Sequence, residues 1–338
     1  MYSYWCMRHG LYIAKPFVEK QTITEIYYLN GMKKIKLFLL SLLVIAILAA
    51  AYFCVVFITN NQERKTMNAE ARKNATGKFI QLTNGITHYQ EGGSDTARTV
   101  ILVHGFSVPY FIWDGTYDSL VQQGFHVIRY DEFGRGFSDR PNIVYDPLLY
   151  RKQLFDLINS LKLKTPVSLV CVSFGGAVAT DFAVHYPELI DKMVLVDPVY
   201  KFAKPKDAEL VTNYKMAVGH EKQASGQLDD FKYPERFPTW VNKYKVQMQY
   251  KGFRHALIST RYNYSEDSII ANYHSLSKLN KKVLLIWGKE DQTVPFQYSD
   301  SIRQIIHVVF FPVDDTRHLP YLEKPSLVNQ KIISFLRE

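Results

Sequence analysis

From residue 79 onward the chain alternates short apolar runs with amphipathic stretches. Phe79–Leu82 and Ile86–Gln90 flank Thr83-Asn84-Gly85, a hairpin signal. Val100–Val103 is short and wholly apolar, as expected of a strand buried on both faces of a parallel sheet. His126–Tyr130, Val167–Val172, Met193–Val196, Val283–Trp287 and Val308–Phe311 read similarly. Amphipathic segments lie between them at Thr116–Gln123, Pro147–Leu161, Ala177–His185, Phe296–Ile306 and Ser326–Leu336. This alternation predicts an α/β fold with a mostly parallel, eight-stranded sheet and helices on both faces. The rhythm breaks once. The segment 197–282 is too long for a simple crossover, and it predicts a mostly helical cap over residues 201–252, with the core formed by 79–200 and 253–338.

Ahead of this core, Ile35–Ile58 is almost continuously apolar, with Lys36 as its only charge. A bilayer core of ~30 Å needs about 20 residues at 1.5 Å rise each, and only a helix satisfies its own backbone in lipid. The run is expected to be a transmembrane signal-anchor over 35–58. The competing reading is a cleaved signal peptide, with Lys33, Lys34 and Lys36 as its basic region and Ala49-Ala50-Ala51 before the cut. Apolar sequence continues through Cys54–Ile58, which favours retention. The lysine cluster sets that side in the cytoplasm and the folded part on the extracytoplasmic side; cleavage would instead give a secreted or periplasmic protein. Arg64, Lys65, Arg72 and Lys73 weaken this bias. Residues 1–34 are expected to be a short tail, with Met32-Lys33-Lys34 resembling a start of translation, and 59–78 a polar linker.

Composition narrows the class. Hydrophobic residues make up 47% and charged residues 22%, which excludes a disordered or collagen-like chain. Three cysteines, Cys6, Cys54 and Cys171, make no disulfide framework, and no Cys/His cluster has zinc spacing. The net charge of +9 is spread out, with no basic–aromatic motif, so nucleic acid is not an expected partner.

The candidate chemistry sits at predicted strand ends. Val172-Ser173-Phe174-Gly175-Gly176 follows a buried strand and opens a helix, the setting of a nucleophile elbow. Leu102-Val103-His104-Gly105-Phe106 ends an earlier strand. Asp131–Pro141 carries a D-x-x-G-x-G-x-S loop. Asp291 lies in a G-x-x-D-x-x-x-P turn, and His318 precedes Glu323-Lys324-Pro325. Together these segments resemble the serine hydrolases of the α/β-hydrolase superfamily over residues 79–337, with monoacylglycerol lipases and carboxylesterases among the similar members. Cys171 replaces the usual first glycine of G-x-S-x-G, and a small residue there keeps the turn.

The resemblance implies a Ser173–His318–Asp291 triad, in the chain order Ser, Asp, His of this fold. It also implies an oxyanion hole from the backbone N–H groups of Phe106 and Phe174, where one donor is worth roughly 3–4 kcal/mol. Asp197, after the preceding strand, is an alternative acid. Asp314, Asp315 and Glu290 are weaker candidates, and His104 is expected to be structural. Neither metal nor organic cofactor is required by this chemistry. The leading expectation is hydrolysis of small carboxylic esters or lipid esters, with the anchor in contact with membrane lipid. A carbon–carbon bond hydrolase shares the fold and triad, but by resemblance it prefers Asn before the serine and Trp after the histidine, where this chain has Val172 and Leu319. A non-catalytic binding protein of the same fold is the third reading. Aromatic residues Phe202, Tyr214, Phe231, Tyr233, Phe237, Trp240, Tyr244 and Tyr250 are expected to form the cap's own core or to line an acyl pocket. Oligomeric state is not legible.

Overall fold

The computed structural model describes residues 16–338 and divides into two units, 1–59 and 60–338. In the first, Pro16–Asn60 is one helix. Its stretch from Thr22 onward is long and apolar enough to cross a membrane, with none of the most apolar window buried; a signal sequence passes the same test. The helix begins well before the apolar run, so part of the expected tail is helical, and the rest of that tail lies outside the described residues.

The second unit holds eight strands: β1 (Lys78–Leu82), β2 (Gly85–Gly92), β3 (Thr99–Val103), β4 (His126–Tyr130), β5 (Val167–Val172), β6 (Ile190–Val196), β7 (Lys282–Gly288) and β8 (Val309–Val313). Their order in the sheet is β1-β2-β4-β3-β5-β6-β7-β8. β1 and β2 pair antiparallel, β2 meets β4 antiparallel, and the rest are parallel. Because side chains alternate across a strand, the central strands feed two separate cores. Ile101, Val103, Leu169, Cys171 and Leu195 join one, with the helices Pro147–Ser160 and Phe174–His185. Val100, Leu102, Val170, Val172 and Val194 join the other, with the helices Asp114–Gln122 and Pro325–Arg337. That double burial is why these strands read as continuous apolar runs.

Between β6 and β7 lies the cap, with helices Glu209–Val218, His220–Ser225 and Trp240–Met248. The expected boundary at residue 252 falls short. Phe253–Asn263 is a further helix that packs on Glu209–Val218 and Trp240–Met248, and its Phe253 and Leu257 share a core with Trp240 and Tyr244. Its other residues grip the sheet side, where Ser259 Oγ accepts the Tyr145 N–H at 2.9 Å. The helix therefore bridges cap and core. Half of the expected cap aromatics, Phe231, Phe237, Trp240 and Tyr244, pack together: Phe231 stacks on Phe237 at 4.0 Å and meets Trp240 edge-on at 5.0 Å, whereas Phe202 joins the other core.

The polar segment expected as a linker is pinned at several points. Glu63 accepts the backbone N–H of Gly252, and Arg254 Nη1 donates to Asn61 Oδ1 at 2.8 Å. Arg72, buried, pairs with Asp139 and donates through Nε to Phe137 O at 3.1 Å. Composition registers these residues as polar but cannot register that their charges are spent on long-range pairs.

Candidate active site

Every candidate residue sits just past the C-terminal end of a parallel strand: Phe106 after β3, Ser173 after β5, Asp197 after β6, Asp291 after β7 and His318 after β8. Ser173 adopts φ 54° and ψ −121°, a strained conformation for a residue with a side chain. The strain is imposed from both sides. The Ser173 N–H donates to Val196 O at 3.0 Å, and its carbonyl accepts from Gly176 and Val199. Gly175 lets the helix start against β3, since a Cβ there would lie 2.4 Å from His104 O. Cys171 is fully buried in β5, and the turn survives the missing glycine.

Ser173 and His318 line the same cavity, of about 530 Å³, together with Phe106, Gln227, Asp230 and Leu319. His318 is buried, and its Nδ1 is 2.8 Å from Asp291 Oδ2. The other carboxylate oxygen, Oδ1, accepts the backbone N–H groups of Thr293 and Val294 at 2.8 and 2.9 Å. This leaves Nε2 as the imidazole nitrogen free to take a proton. Burial opposes the charged ring, but the adjacent Asp291 outweighs it and carries the imidazole up to about 9. The loops bearing Asp291 and His318 meet because Gly288 has no side chain; a Cβ there would lie 1.9 Å from Arg317 O.

Asp197 is not the partner of the imidazole, but it is close. Ligand atoms of Asp197, Asp291 and His318 all lie within 4.8 Å of one another, the grouping with metal-ligand spacing among the described residues. Asp197 Oδ1 accepts the Gly288 N–H at 2.9 Å, and its Oδ2 is buried without a donor. Burial, then the Asp291 charge, push this carboxyl well above the usual carboxylate range. The protonated form of Asp197 is therefore favoured relative to that of a free carboxyl. Both Asp291 oxygens already hold donors, the imidazole on one and two backbone N–H groups on the other, so this carboxylate is committed to orienting His318.

Phe174 is the first residue of its helix, so its N–H has no acceptor within the helix. The N–H of Phe106 belongs to the Gly105–Phe106 peptide, which His104 holds. His104 is fully buried and lowered to about 4 by burial, so its ring is neutral. Its Nε2 accepts the Glu132 N–H at 2.9 Å, which makes Nδ1 the donor to Gly105 O at 2.7 Å. His104 thus orients one expected oxyanion donor.

Two further residues had no assigned role in the sequence. Glu323 is buried and accepts the N–H groups of Arg317 and Lys232, both at 2.7 Å, tying the His318 loop to the cap. The cap residue Asp230 accepts the His318 N–H through its carbonyl at 3.0 Å. The E-x-P motif marked Glu323; nothing local marked Asp230. Glu290 and Asp315 both turn outward to Lys232, and Asp314 pairs with Lys289.

The fold is that of the alpha/beta hydrolases. The alpha/beta hydrolase family profile matches residues 100–331, and the chain belongs to that family. It is 28% identical over 251 residues to the alpha/beta hydrolase domain-containing protein VTE7 of Arabidopsis thaliana, covering 70% of this chain and 73% of that protein. It is 24% identical to Lipase 3 of a Moraxella species, covering 70% and 76%. Among solved structures it resembles a meta-cleavage product hydrolase, CumD, in a mutant form, with 25% identity and a TM-score of 0.65 over 77% of this chain and 98% of that one.

Proposed function

We infer that this hydrolase cleaves carboxylic esters, lipid-like or of monoacylglycerol type, through an acyl-enzyme on Ser173. The observation that carries the reading is a serine held at positive φ in the same cavity as an imidazole bound to a buried carboxylate. His318 Nε2 takes the Ser173 proton as Oγ attacks the ester carbonyl. The N–H groups of Phe106 and Phe174 receive the oxyanion. The alcohol leaves with the proton from His318, and water then frees the acid by the same route. The likeness to a lipase supports ester chemistry. The apolar N-terminal helix supports a site held near lipid, and Lys33, Lys34 and Lys36 before it support an extracytoplasmic folded unit.

The test is labelling of the full chain with a fluorophosphonate probe, followed by a chain-length series of p-nitrophenyl esters. Labelling at Ser173 that is lost in Ser173→Ala is expected; an intact chain that does not label refutes the reading.

A second reading, carbon–carbon bond hydrolysis, is favoured by the likeness to a meta-cleavage product hydrolase. Leu319, buried against the site, stands where that branch prefers Trp. Turnover of a ring-cleavage product faster than any ester would establish it.

A further inference from the structure

A second cavity, of about 560 Å³, opens beneath the cap and shares Phe106, Ser107 and Gln227 with the catalytic cavity. Its wall is apolar at Met216, Leu257 and Ile258, yet it carries three cations, Lys215, Lys222 and Arg261, against one carboxylate, Asp207. Asp207 is taken by Lys215. No carboxylate pairs with Arg261 among the described residues. Its guanidinium lies over the rings of Phe202 and Phe106, at 5.2 and 6.0 Å, and Nη2 donates to Ala203 O at 3.2 Å. Its Nε is buried without an acceptor. Packing on two aromatic rings accounts for the side chain's position. It does not neutralise the charge, and the guanidinium lines the cavity with one backbone carbonyl as its acceptor. A guanidinium is the side chain whose planar fork matches carboxylate and phosphate.

We propose that this cavity takes an acyl chain ending in an anionic group, with Arg261 receiving the anion one aromatic ring away from the oxyanion donor Phe106. The substrate class is thus a half-ester: a chain with the scissile ester at one end and a carboxylate or phosphate at the other. The apolar wall holds the methylenes between them. This inference rests on the ester reading above.

Mono-p-nitrophenyl esters of dicarboxylic acids from succinate to sebacate, and their methyl-capped neutral counterparts, test it on the full-length protein. At the best length the free acid is expected to exceed its capped form at least tenfold in kcat/KM. Arg261→Gln is expected to reduce that preference below twofold while neutral-ester turnover is unchanged, and Arg261→Lys to restore part of it. Neutral esters turned over without preference for any free acid, or a preference that survives Arg261→Gln, would overturn the proposal. The free dicarboxylates and matching alkyl phosphates are titrated in parallel by calorimetry. Binding weakened at least tenfold by Arg261→Gln supports the site even if no ester is cleaved, and the tighter series identifies the anion. Binding by neither series overturns it.

Discussion

Asp197 and Asp291 stand side by side behind His318, and only Asp291 reaches the imidazole. Asp291 holds the imidazole at 2.8 Å and takes two backbone N–H groups. Asp197 is fully buried, and burial together with the Asp291 charge pushes its carboxyl well above the usual carboxylate range. Asn matches Asp in size and keeps a carbonyl acceptor for the Gly288 N–H, although it carries two N–H donors where a protonated acid carries one O–H.

Asp197→Asn is therefore expected to retain activity within about threefold, whereas Asp291→Asn is expected to lose about 10⁴-fold in kcat, as loss of a triad acid does. Steady-state ester hydrolysis by the two variants checks this. The reverse ranking would move the acid role to Asp197.

The pH profile follows from His318. The ring must be neutral to accept the serine proton, and Asp291 raises it to about 9. Activity is thus present above that value and lost below it. In the free enzyme kcat/KM is expected to climb about tenfold per unit across the neutral range and to level near pH 9. A profile already flat at neutral pH would contradict this. In Asp291→Asn the rising limb is expected at lower pH, because the carboxylate that raises the ring is gone.

Gly288 keeps two backbones in contact. A Cβ there would sit 1.9 Å from Arg317 O and 3.0 Å from Thr316 O, with no flexible side chain to yield. Gly288→Ala is expected to cost about 1–3 kcal/mol in a denaturant titration, the range for overpacking. Activity should fall further than stability explains, since the same clash separates Asp291 from His318.

Glu323 is expected to matter through the backbone. Glu323→Ala strands the N–H groups of Arg317 and Lys232, at roughly 1–3 kcal/mol for an unsatisfied buried donor. Hydrogen exchange should rise at 230–233 and 316–318 together. A rise at one segment alone would show that Glu323 does not couple them.

The N-terminal helix has a direct test. The full chain is expected in the membrane pellet after an alkaline carbonate wash, with an intact mass that includes Ile35–Ile58. A soluble product beginning just after Ala51 would establish cleavage instead.

Much of this molecule was legible before folding. Strands such as Val100–Val103 and Val167–Val172 are buried on both faces, so burial imposes continuous apolar runs that stand out in any window. The motif positions were legible because an elbow or strand-end turn demands small residues at fixed offsets from the functional side chain. Those demands are local, and local pattern is what a sequence carries openly.

Tertiary structure alone decided the rest. It selected Asp291 over Asp197 for the imidazole, although both follow parallel strands. It gave His104 its hold on the Phe106 peptide, brought the Asp230 carbonyl to His318, added the helix Phe253–Asn263 to the cap, and spent Glu63 and Arg72 on distant partners. Each is a hydrogen bond or packing choice between groups far apart in the chain. Its outcome depends on which groups the sheet and cap bring within about 3 Å, and no periodicity along the chain records that.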